Sequence, residues 1–156
     1  MPQEVSDREV WEMVEARKIE RMFFDYAYHL DMNHPEELAA LFVEDCEVSY
    51  APNFGAKGKA EYVKTLGGIG PYFKATTHHV SNIVVDFVSD SEAQVRSIVL
   101  ALHRYRKDRP DGWLFGQYHD VVVKQDGGWK FKRRELRTDL TIEYHVKVAN
   151  PIGRGE

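Results

Sequence analysis

HHVSNIVVDFV, residues 78–88, is the stretch on which the fold turns. Along a strand its side chains alternate, with His79, Ser81, Ile83, Val85 and Phe87 on one face and His78, Val80, Asn82, Val84 and Asp86 on the other. The first face is the more apolar, so the alternation predicts that it turns inward and takes His79 with it. Three further runs of the same kind follow. Asp90 marks a turn, and Ala93–Tyr105 is a strand rich in Val, Ile and Leu. Asp108-Arg109-Pro110-Asp111-Gly112 is a strong turn signal ahead of Trp113–Lys124. Asp126-Gly127-Gly128 is a hairpin turn ahead of a last strand from Trp129 to Arg137, extending towards Thr141.

Upstream the period changes. Ser6 and Glu9 have capping-box spacing, and no Pro or Gly interrupts the chain from there to Leu30. Val10, Met13/Val14, Ile19, Met22/Phe23, Tyr26/Ala27 and Leu30 recur at helical spacing, which predicts one long amphipathic helix ending near Asp31. Pro35 opens a short second helix carrying Leu38, Leu41 and Phe42. A strand is expected over 46–50, a loop at Pro52, Gly55 and Gly58, and a third helix over Lys59–Leu66. Gly67-Gly68-Ile69-Gly70-Pro71 ends that helix as a flexible lip.

Helices first and four long strands later predict an α+β domain, a curved antiparallel sheet wrapped on one side by the N-terminal helices. Such a sheet curls into a cone with an apolar interior, where small-molecule pockets form. At 156 residues, 43% hydrophobic and 12% aromatic, the chain reads as a single folded domain with its core over about 8–140 and a C-terminal arm over 141–156. A net charge of −4 gives no reason to expect nucleic acid or a membrane surface as partner. The basic runs at 104–107 and 130–134 read as strand ends and solvated faces. Cys46 is the single cysteine, so no internal disulfide forms. No apolar run approaches a membrane span and the first residues lack a signal-peptide core, so a cytoplasmic location is expected.

Several polar residues suit an enclosed site. His79 on the inner face and Asp31 at a helix end form either a general-base pair or a core histidine beside an ordinary helix cap. Tyr26 either polarises a substrate oxygen or packs as a helix aromatic; it meets Asp31 only if the chain turns there, because five helical residues rotate about 140°. His103, Tyr50, Tyr118 and Arg137 are candidates to line the same cavity, with sheet surface and salt bridges as the alternatives, and Asp120 stands with them. No metal is expected, because His78 and His79 face opposite ways and no helical His/Glu motif occurs. No cofactor is expected either: the chain has no dinucleotide or P-loop fingerprint and no nucleophile elbow. His29, His34, His119 and His145 carry no assigned role.

Ile19-Glu20-Arg21 leading to Tyr26, Asp31 and Leu41-Phe42, then Gly58, residues 78–82, Gly116-x-Tyr118 and Gly127-Gly128-Trp129 together resemble the SnoaL-like family. That family has the nuclear transport factor 2-like fold, a cystatin-like α+β barrel. The resemblance implies a cofactor-free lyase of dehydratase type acting on a hydrophobic, cyclic, oxygenated small molecule. His79 would abstract a proton, Asp31 would support it, and Tyr26 would assist at the carbonyl or leaving group. His103 matches a second cavity histidine found in one dehydratase of the superfamily. The resemblance also implies a homo-oligomer, dimer or trimer. An isomerase, a polyketide-type cyclase and a non-catalytic ligand-binding domain stand as alternatives, because one fold hosts many functions.

Overall fold

The computed structural model describes residues 4–50 and 54–144. Helix α1 (Asp7–Asp31) starts at the expected capping box, with the Ser6 hydroxyl and the Glu9 carboxylate each taking a backbone donor. It buries Ile19, Met22, Phe23, Tyr26, Ala27 and Leu30 along one stripe. Helix α2 (Pro35–Ala40) follows a tight turn at Asn33, and strand β1 (Phe42–Tyr50) follows α2 almost at once. The short strand β2 (Gly55–Lys57) lies where a loop was expected, paired to β1. Helices α3 (Lys59–Leu66) and α4 (Ile69–Tyr72) lead to the long meander β3 (Phe73–Ser89), β4 (Glu92–Tyr105), β5 (Asp111–Gln125) and β6 (Gly128–Tyr144). The part of the expected C-terminal arm up to Tyr144 continues β6; the rest lies outside the described residues.

The strands form one open sheet in the order β2-β1-β6-β5-β4-β3. It is mixed rather than wholly antiparallel, because β1 pairs with β6 in parallel. The hairpins of the meander force β3 to β6 to alternate in direction, whereas β1 is delivered by the helices to the edge that β6 leaves open. The curved sheet holds α1 against its inner face, and a continuous core runs from Ile19, Phe23 and Tyr26 through Phe42 and Phe131 to Val99 and Val122. A buried polar staple fixes α1 to the sheet: Trp129 Nε1 donates to Glu15 at 2.6 Å, and Lys124 Nζ lies 3.0 Å from the same carboxylate. Lys18 Nζ, 2.6 Å from the same carboxylate, outweighs the cost of burial together with these two and holds Glu15 down to about 2. Among the described residues, no helix is long and apolar enough to cross a membrane.

Candidate active site

Asp31 is the last residue of α1 and faces β3. Its carboxylate accepts three hydrogen bonds, from Thr76 Oγ1 at 2.9 Å, the His78 backbone N–H at 2.8 Å and His78 Nδ1 at 2.7 Å. An ionised carboxylate only accepts, so Nδ1 carries the imidazole proton and Nε2 is the basic nitrogen. The backbone bond and the ring bond act together, so the imidazole is held in both position and tautomer.

The residue beside Asp31 is His78. His79, expected to face inward, is exposed on the outer side of the sheet, paired opposite Leu100. The cause is a β-bulge. Ser81 pairs with Ile98, but the next pair is Val84 with Arg96, so β3 carries one extra residue, and Asn82 there has φ 50°. The inner face therefore reads Ile83, Val85 and Phe87 beyond the bulge, but Thr76, His78 and Val80 before it. Reading one alternation through the whole strand put the wrong histidine inside.

Around this pair the inner wall is aromatic. The His103 ring is edge-on to His78 with centroids 5.7 Å apart, and Phe73 packs on its other side at 5.0 Å. Burial, with His78 close by, lowers His103 to about 4 against the pull of Asp31, so it is neutral near pH 7. Tyr26 lies deeper, its hydroxyl 2.7 Å from that of Tyr50, with Tyr62 3.4 Å beyond. Burial raises all three phenols well above their ordinary value, so each stays protonated and acts as a hydrogen-bond donor rather than a base. Tyr118 also points inward, edge-on to the Tyr26 ring, and burial pushes it up to about 12.

Behind the tyrosines sits a group that the sequence reading placed in a solvated run. Arg134 is fully buried, with its guanidinium carbon 3.9 Å from the Tyr26 ring centre and 3.8 Å from that of Tyr118. Its acidic neighbour is Asp120, 3.6 Å away and equally enclosed. Burial pushes Asp120 up, to about 7, against the pull of the guanidinium. A second bulge explains the misplacement: Val122 pairs with Phe131 but Val121 with Arg133, so the inward parity skips from Phe131 to Arg134. Only the pairing register would have shown this.

Arg137 is the other correction. It lies on the outer face, opposite Gln117 and held by Glu135 at 3.0 Å, and it borders a groove of about 540 Å³ with Ile98, Leu100, Phe115 and Asp139. A third shift, between Phe115 and Gly116, accompanies it; a Cβ on Gly116 would stand 2.6 Å from the Arg137 carbonyl oxygen, so the strands approach closely there. The interior thus unites Asp31, His78, His103, Tyr26, Tyr50 and Tyr118, and leaves His79 and Arg137 outside.

The inner wall of the open, curved sheet thus carries an imidazole–carboxylate pair backed by aromatic side chains. The family profile of the SnoaL-like domain matches residues 11–135, and the chain belongs to that family, within the nuclear transport factor 2-like superfamily. A crystal structure from Novosphingobium aromaticivorans DSM 12444, provisionally called a scytalone dehydratase, is 71% identical, with a TM-score of 0.83 over 94% of this chain and 99% of that one. A hexachlorocyclohexane dehydrochlorinase, LinA-type3 from Novosphingobium barchaimii LL02, is 18% identical with a TM-score of 0.81 over 90% and 99%. A protein provisionally called an aromatic ring hydroxylase, from Novosphingobium aromaticivorans, is 17% identical with a TM-score of 0.79 over 85% and 94%. No curated protein matches. The last two show the fold alone, and their differing names illustrate that the fold does not select a reaction.

Proposed function

We propose that the protein is a lyase of dehydratase type that acts on a hydrophobic, cyclic, oxygenated small molecule through its own side chains. The observation that carries this reading is the Asp31 carboxylate gripping both the backbone N–H and Nδ1 of His78. His78 Nε2 takes a proton from a carbon next to a carbonyl, in the role the resemblance had given to His79. The C–H electron pair becomes the new double bond, the bond to the β-oxygen breaks, and the departing hydroxide takes the same proton back from the His78 imidazolium and leaves as water. Tyr26, paired with Tyr50, donates a hydrogen bond to the oxygen on which charge gathers. Neutral His103 orients the ring of the substrate. The 71% identical structure provisionally called a scytalone dehydratase supports this class of reaction.

The test separates the two adjacent histidines. On a panel of cyclic β-hydroxy ketones, followed by the absorbance of the enone product, His78→Ala and Asp31→Asn should each lower turnover by about 10²-fold or more. His79→Ala should retain it. Equal turnover in His78→Ala and wild type removes the pair from the mechanism. Deuterium exchange at the substrate carbon without loss of water would favour the isomerase or cyclase alternative. Saturable binding with neither exchange nor turnover would favour the ligand-binding one.

Association of copies belongs to the same reading. Trp113, Phe115, Leu140 and Ile142 face outward on β5 and β6, with Leu140 and Ile142 44% and 49% exposed. A second copy covering this apolar face gives the dimer or trimer that the family resemblance implies. A strictly monomeric mass in light scattering would refute it.

A further inference from the structure

The end of α1 carries a second pair of imidazoles, outside the interior and unused by the proposed chemistry. The helix closes in a Schellman arrangement. Asn33 takes the left-handed conformation at φ 58°, and the His34 N–H donates back to the His29 carbonyl at 2.8 Å. That six-residue closure normally brings two apolar side chains together; here it brings together His29 and His34. Their Nδ1 atoms are 3.4 Å apart and their rings are tilted by 47°. This is long for a hydrogen bond between ring nitrogens. It matches the edge of a tetrahedron of nitrogen donors around zinc, about 3.3–3.4 Å for bonds of about 2.0–2.1 Å. Among the described residues, neither Nδ1 has another hydrogen-bond partner. A cavity of about 10 Å³ opens beside the two rings, bordered by Asn33, Leu38, Leu66 and Ile69. That is close to the room one water or one small ion needs. The Tyr28 ring stands edge-on to both imidazoles, at 5.5 and 6.1 Å, and limits where they can swing.

We propose that His29 and His34 form a two-histidine site for a borderline divalent cation such as Zn²⁺, Ni²⁺ or Cu²⁺, with water completing the coordination. Imidazole suits these ions and not Mg²⁺ or Ca²⁺, which take oxygen ligands. The closed turn holds both ligands in place before the ion arrives, so little ordering remains to be done on binding. No group of three or more His, Cys, Asp or Glu fit to hold a metal occurs among the described residues, so two protein ligands set the affinity. The ion braces the junction between α1 and α2, two positions from Asp31 along the chain. The spacing escapes the usual motifs because it spans a helix end, where the turn, not the helical period, sets which side chains meet. The site stands independently of the lyase reading.

The experiment titrates Zn²⁺, and separately Mg²⁺, into the full chain, with calorimetry and the histidine ring resonances as readouts. Zn²⁺ should shift the His29 and His34 signals saturably and raise Tm, and Mg²⁺ should do neither. His29→Ala and His34→Ala should each weaken Zn²⁺ binding by about 10-fold or more. His34→Gln keeps the backbone closure and a polar side chain, and its loss of binding would tie the effect to the imidazole rather than to a damaged turn. Three results would overturn the site: binding unchanged in these variants, shifts confined to other histidines, or no saturable binding below about 1 mM.

Discussion

Two acid–base pairs sit on the inner wall of this sheet, and they are built in opposite ways. Asp31 and His78 are hydrogen-bonded at 2.7 Å, share a carboxylate that takes two further donors, and keep 19% and 7% of their side chains exposed. Asp120 and Arg134 are wholly enclosed and stand 3.6 Å apart, and the five side-chain nitrogens and oxygens of the pair have no hydrogen-bond partner. The guanidinium is stacked among the rings of Phe23, Tyr26, Tyr118 and Phe131 instead. The first pair lies at the more accessible end of the interior, and in the proposed reaction it moves the proton. The second is an electrostatic element at the dry end, kept where low polarity makes its field strong and its burial costly. The two pairs thus separate a hydrogen-bonded, partly accessible imidazole from a guanidinium held behind the phenols.

The largest effect that would break the contrast lies at the dry end. Arg134→Met should cost about 3–5 kcal/mol in urea denaturation, because it leaves Asp120 enclosed without its cation. Adding Asp120→Leu should recover most of that loss, since an apolar pair can replace a buried ionic one at little or no cost. A single variant as stable as wild type would show that the two groups do not act as an ion pair.

Next in size is a pH effect in which the two ends oppose each other. His103, at about 4 in the folded chain against an ordinary 6.5, binds its proton more readily when unfolded. Its contribution is full above pH 6.5 and is lost as pH falls to about 4. Asp120, raised from 3.8 to about 7, binds its proton more readily when folded. Its contribution is full below pH 3.8 and is lost as pH rises towards 7. The first amounts to roughly 3 kcal/mol and the second to roughly 4 kcal/mol, and their slopes oppose each other between pH 4 and 6.5. Asp120→Asn should therefore leave stability rising with pH across that window, and His103→Phe should leave it falling. Equal slopes in the two variants would break the assignment.

The smallest effect concerns the device that aims His78. Asn82 holds a left-handed backbone that a β-branched side chain resists, so Asn82→Val should lose about 1–2 kcal/mol, whereas Asn82→Gly should stay close to wild type. Loss of the His78–Asp31 contact in Asn82→Val, seen in the His78 ring resonances, would show that the bulge fixes the faces of β3.

Most of the architecture was readable from local patterns. The capping box, the unbroken helical period to Asp31, the helix over Lys59–Leu66 and the four strands between Gly- and Pro-rich turns all appear at their expected places. These are short-range or strongly periodic signals, and one chain carries them without help. Asp31 does meet a histidine of β3, but it is His78 and not the expected His79. The errors have a common origin. His79 was expected inside because an alternation of period two was carried across a bulge; Arg134, read with its basic neighbours as a solvated run, and Arg137, expected inside, each lie beside another such shift. A bulge is a property of two paired strands, since one extra residue is extra only relative to its partner.

By itself, then, the sequence determined the helices, the strands, the turns and the residue types available for chemistry, because backbone propensity and hydrophobic period act within a few residues of chain. Only the tertiary structure decided which histidine meets Asp31, which arginine is buried, that β1 joins β6 in parallel, and that His29 and His34 face each other across a helix end. Each of those choices depends on register and closure between segments, and a one-residue shift in pairing moves every following side chain to the opposite face.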